Sequence, residues 1–86
     1  MASVDDVRAG IARANQQATE SIAALQQASS ALEQAQGSLT MVTQGSGHAD
    51  AEQANGLLAD AARAVDEVAQ TVNAAISKAE SYASGL

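Results

Sequence analysis

Apolar residues recur every seven positions along two stretches of this 86-residue chain. In the first stretch one register places Val4, Ile11, Ala18, Leu25, Leu32 and Leu39 at position a, with Val7, Ala14, Ser21, Ala28, Ala35 and Val42 at d. The second stretch carries Ala51, Leu58, Val65, Val72, Ala79 and Leu86 at a, and Ala54, Ala61, Val68, Ala75 and Tyr82 at d. A seven-residue repeat held this long, with no internal stop, predicts two long helices of the coiled-coil kind.

Between them lies Gln44-Gly45-Ser46-Gly47-His48, the one place where two glycines fall close together, and the chain is expected to turn there. The predicted architecture is all-α: an antiparallel two-helix coiled-coil hairpin, with helix one over about 4–44, the turn at 45–48 and helix two over about 49–84. Ser3 can cap the first helix, with Asp5 and Asp6 in its positive first turn, and Gly45 suits the left-handed residue that closes it. Ser46 or His48 can cap the second, ahead of Asp50 and Glu52.

Folding about Ser46 and Gly47 pairs positions whose numbers sum to 93 and sets every a opposite a d. The expected seam comprises Val7, Ile11, Leu25, Leu32, Ala35, Leu39, Leu58, Ala61, Val65, Val68, Val72 and Tyr82. Large side chains meet small ones: Leu39 with Ala54, Ala35 with Leu58, Leu32 with Ala61 and Ala28 with Val65. On this pairing Ala35→Leu would overpack against Leu58. Two layers, Ala18 with Ala75 and Ala14 with Ala79, are thin, and Ile22 and Ile76 flank them at e. A two-stranded seam needs only a and d, so Ile22, Leu57, Ala62, Ala69 and Ile76 are expected to meet a further helix.

Composition points the same way. The larger apolar side chains are six Val, three Ile, six Leu, two Met and Tyr82, with no Phe or Trp, and more than half of the apolar 47% is alanine. A chain of this size buries a modest share of its surface, so dimerisation into a four-helix bundle, or docking on another helical protein, is expected to complete the core.

A net charge of −6, with Arg8, Arg13, Arg63 and Lys78 the only cations, gives no basic surface for nucleic acid or anionic lipid. The absence of cysteine removes disulfides, zinc thiolates and thiol catalysis. Met1 to Asp6 has no signal-peptide pattern and no apolar run is long enough to span a bilayer. The expected location is the cytoplasm, with signal-peptide-independent secretion open.

No catalytic, cofactor-binding or metal site is assembled by these residue types. His48 reads as a cap or loop residue, and its neighbours Asp50 and Glu52 lack the oxygen-rich loop spacing that calcium needs. Asp5-Asp6 and Asp66-Glu67 are sequence neighbours that point about 100° apart on a helix, so they read as solvated faces. Gln16, Gln17, Gln26, Gln27, Gln34 and Gln36 read as a neutral helix surface, or a glutamine ladder between subunits. Gly37 and Gly56, both at f, are either neutral positions or places of close approach by a third helix. Tyr82 reads as core filling against Ile11, or as part of a C-terminal recognition tail with Glu80.

In size and hairpin architecture the chain resembles the ESX-type (WXG) helical hairpins, which pair into four-helix bundles and leave actinobacteria by specialised secretion. Its turn, Gln44 to His48, has no Trp-x-Gly, and Tyr82 is followed four residues later by Leu86 rather than an acid. The stretches Ser3 to Gln17, Ile22 to Gln36 and Gln53-Ala-Asn-Gly-Leu-Leu-Ala59 resemble a family of Ala/Gln-rich actinobacterial helical proteins. That resemblance implies an accessory or delivery role beside toxin genes. The expected function is therefore a non-enzymatic interaction module or small adaptor, or an ESX-like secreted substrate or chaperone of a toxin or secretion system.

Overall fold

A computed structural model describes residues 2–86 as two helices, α1 (Val4–Val42) and α2 (Ala49–Ser84), folded into an antiparallel hairpin 64 Å long and 17 by 15 Å across. Each helix is made from residues that favour helix and is stopped by local chemistry at its ends. Ser3 Oγ accepts from the Asp6 amide at 3.1 Å while the Asp6 carboxylate accepts from the Ser3 amide at 3.3 Å, a reciprocal capping box.

α1 ends at Val42, two residues before the expected boundary. The Thr43 hydroxyl and amide both donate to the Leu39 carbonyl, at 2.7 and 3.0 Å, and the Ser46 amide donates back to the Thr43 carbonyl at 2.9 Å. That tight turn holds Gly45 at φ +81°, a left-handed conformation costly to any residue with a Cβ. His48 then caps α2, its Nδ1 accepting from the Asp50 amide at 3.1 Å, and Ser46 Oγ in turn accepts from the His48 amide at 3.3 Å.

The hairpin is as expected; the seam within it is not. Every a and e residue from Ile11 to Thr43 and from Ala51 to Ala83 is half-buried. Most d residues, including Ala14, Ala28, Ala35, Val68, Ala75 and Tyr82, face water. The helices therefore meet along a and e rather than a and d. The two half-buried stripes face each other where residue numbers sum to 94, one more than expected. Two long interhelical hydrogen bonds, from Ser29 to Asp66 and from Thr40 to Asn55, both at 3.4 Å, lie within one residue of this pairing, their numbers summing to 95.

Packing explains the shift. In the a/d arrangement the layers at Ala14 and Ala18 hold alanine against alanine, whereas the a/e arrangement sets Ile22 against Val72 and Ile76 against Ala18. Large still meets small elsewhere: Leu25 with Ala69, Leu32 with Ala62, Ile11 with Ala83. Such layers fill the interface without voids while alanines let the backbones approach. Polar residues enter the seam as a consequence, Asn15, Ser29, Gln36 and Asn55 among them, but half-burial leaves them within reach of water. Among the described residues no buried side-chain polar atom lacks a partner.

Ala69→Leu, opposite Leu25, should overfill the seam and lower stability by about 1–3 kcal/mol. Ala35→Leu, at an exposed d position, should change it by no more than about 0.5 kcal/mol. Urea unfolding of dilute protein checks both, and an equal loss from the two variants would return the seam to a/d.

Candidate interaction surface

At 100° per residue, positions d and g form one flank of each helix beside an a/e seam, b and f form the other, and c lies at the back. Because the helices are antiparallel, like letters come to the same side of the hairpin. A shallow groove lined by Gln26 and Glu33 of α1 with Asp66 of α2, all at b, runs beside the seam residues Leu25, Ser29, Val65 and Ala69, which confirms this placement.

The two sides differ in chemistry. Nine of the ten acids occupy b or c, Asp50 being the exception. The d/g side holds only two charges, Asp50 and Lys78. It also collects most of the exposed bulk: Val42 is 80% exposed, Leu57 69%, Tyr82 58% and Val68 49%. On α2 this side is a run of Ala54, Leu57, Ala61, Ala64, Val68, Thr71, Ala75 and Tyr82, and on α1 its middle is small: Ser21, Ala24, Ala28, Ala31 and Ala35. It is a broad, shallow, nearly uncharged face more than 40 Å long by helix geometry, the kind of patch a soluble chain seldom leaves uncovered.

This reassigns the expected contact residues. Of Ile22, Leu57, Ala62, Ala69 and Ile76, only Leu57 is exposed; the other four lie half-buried in the seam, at e. Of the expected seam, Ala35, Val68 and Tyr82 move out to the d/g side, because one step of register turns d away from the opposite helix. Ile11, Leu25, Leu32, Leu39, Leu58, Val65 and Val72 are half-buried at a, and Val7 near the open end and Ala61 in the half nearer the turn are half-buried at d. Tyr82 does not fill a layer against Ile11; Ala83 takes that place. The thin alanine layers beside two isoleucines were the signal in the sequence that pointed to this register.

Elsewhere the side chains do structural work. His48 is 69% exposed, and its Nδ1 lies 3.9 Å from the Asp50 carboxylate. The same nitrogen accepts the α2 amide, which requires it unprotonated, so the cap and an ion pair are alternatives and the shorter contact is the cap. Among the described residues no three His, Asp or Glu come together as a metal would require. Gly37 and Gly56 are exposed at f with open space where a Cβ would stand, so nothing within the chain approaches them. No described helix is long and apolar enough to cross a membrane.

Comparison with protein-family models, curated proteins and solved structures finds no match. The chemistry of the two sides therefore carries the functional reading.

Removing the cap by His48→Ala should cost about 0.5–2 kcal/mol, and His48→Ser should restore it. In a thermal melt a loss of about 1 kcal/mol lowers the midpoint by roughly 4–8 °C in a domain this size. Equal midpoints for all three proteins would show that the ring nitrogen contributes nothing to the cap.

Proposed function

We propose that the chain is a non-enzymatic interaction module, a small adaptor that binds by laying the d/g side of its hairpin against other helices. One observation carries this reading: Val42, Leu57, Val68 and Tyr82 stand exposed on the side from which nearly all charge has been withdrawn. A helix face of small residues studded with a few larger ones accepts ridges of a neighbouring helix at close range. The acids at b and c keep the opposite side in water and repel a second acidic surface there, which directs association to d/g.

Cysteine accessibility tests it, since the chain has no cysteine of its own. Ser21→Cys lies on the d/g side and Thr19→Cys on the b side, both exposed and two residues apart. In cells making the protein, maleimide should modify the Ser21 variant about tenfold more slowly than the Thr19 variant, as coverage by a partner demands. Equal rates would mean that the apolar side is open to water in the cell, and the reading would fall.

A further inference from the structure

The occupant of the d/g side can be named from its shape. Resting on the reading above, we infer that it is a second copy of this chain, related by a two-fold axis parallel to the long axis of the hairpin, so that both turns lie at the same end.

Area comes first. A folded chain of 8.6 kDa is expected to expose about 4,700 Å². This one exposes 6098 Å². The difference of about 1,400 Å² exceeds the roughly 800 Å² that each partner gives up in a standard stable interface. Among the described residues no side chain is fully buried, so the hairpin alone has a seam and no enclosed core.

Self-complementarity comes second. The d/g side is asymmetric: its α2 half carries Leu57, Val68 and Tyr82, and the facing stretch of α1 carries residues no bulkier than glutamine. A two-fold axis along the hairpin lays α2 of each copy on α1 of the other and leaves heights unchanged. The register of 94 then brings Leu57 between Ala35 and Ser38, Val68 between Ala24 and Ala28, and Tyr82 between Gly10 and Ala14 of the other copy. Large meets small at all three, the rule that already selects the intramolecular seam. A two-fold across the hairpin would stack α2 on α2 and α1 on α1, crowding one half of the interface and leaving the other thin. The isologous arrangement along the hairpin is the one in which a single surface completes itself.

Charge agrees. With nine acids at b and c, the two copies meet where neither carries a carboxylate except Asp50 beside the turn. The product is a four-helix bundle with α1 and α2 alternating around its axis and the acids outside.

Two measurements test it on the full chain. Sedimentation equilibrium should show dimer at about 100 µM, and Val68→Glu should weaken self-association by about tenfold or more with helical content unchanged, because it buries a charge. Asn73→Glu, on the b side, should leave it unaltered. A nitroxide at Ser46→Cys should then give a distance between copies below about 30 Å, since packed helices lie about 8–10 Å apart. Turns at opposite ends would give a distance near the 64 Å hairpin length and overturn the geometry. A chain still monomeric at about 100 µM overturns self-association. If Ser21→Cys is nevertheless protected in cells, the adaptor reading stands with a different protein on the face. Loss of protection in cells as well removes both.

Discussion

Two helices laid side by side can shelter a side chain from one direction only, and every other property of this hairpin follows from that limit. The seam is a column of half-buried residues with no enclosed core, twenty of them in matched a/e stripes from Ile11 to Thr43 and from Ala51 to Ala83. With so little depth, stability rests on how well each layer is filled rather than on how many large residues are present. A large residue against a small one, as in Leu25 with Ala69, Leu32 with Ala62 and Ile76 with Ala18, keeps the axes close. The same shallowness tolerates Asn15, Gln36 and Asn55 in the seam, since a half-buried amide still finds water and avoids the penalty of an unpaired buried group.

Alanine has a double role here. In the seam it is the small partner that lets Leu25, Leu32 and Ile76 seat. On the d/g side of α1 it makes a smooth stripe, apolar without being bulky, that costs nothing in helix propensity. The acids are kept off both surfaces. Placing nine of ten at b and c gives the hairpin one wet, negative side that sustains solubility and one side where a neighbour can settle without displacing charge.

The hairpin, its turn and its caps were legible in the sequence because each rests on strong local signals: glycines at 45 and 47, Ser3 before two acids, His48 before two more. The seam was legible only in half. A seven-residue repeat fixes position a firmly, but the choice between d and e is a choice between two flanks about 50° to either side of it. In an alanine-rich chain both flanks look alike by polarity. Here d offers Val42, Val68 and Tyr82, and e offers Ile22 and Ile76 among polar residues. What decides is how the residues of the two helices fill each layer, a property of pairs across the turn. One residue of slip in the pairing, 94 for 93, exchanges the inner and outer stripes and with them the surface offered to a partner.

That exchange ties stability to association. The observed register turns Val68 and Tyr82 outward to join Leu57, so the internal packing leaves an apolar surface exposed on one side. Anything that binds the folded hairpin through that side and not the unfolded chain adds to its stability by mass action. For a molecule whose every seam residue is only half sheltered, covering the d/g side is the direct route to a layer of side chains closed off from water. On the proposed reading, one register sets both folding and binding, with Ala62 and Ala69 seating the large residues of the seam while Ala28 and Ala35 form the smooth outer side.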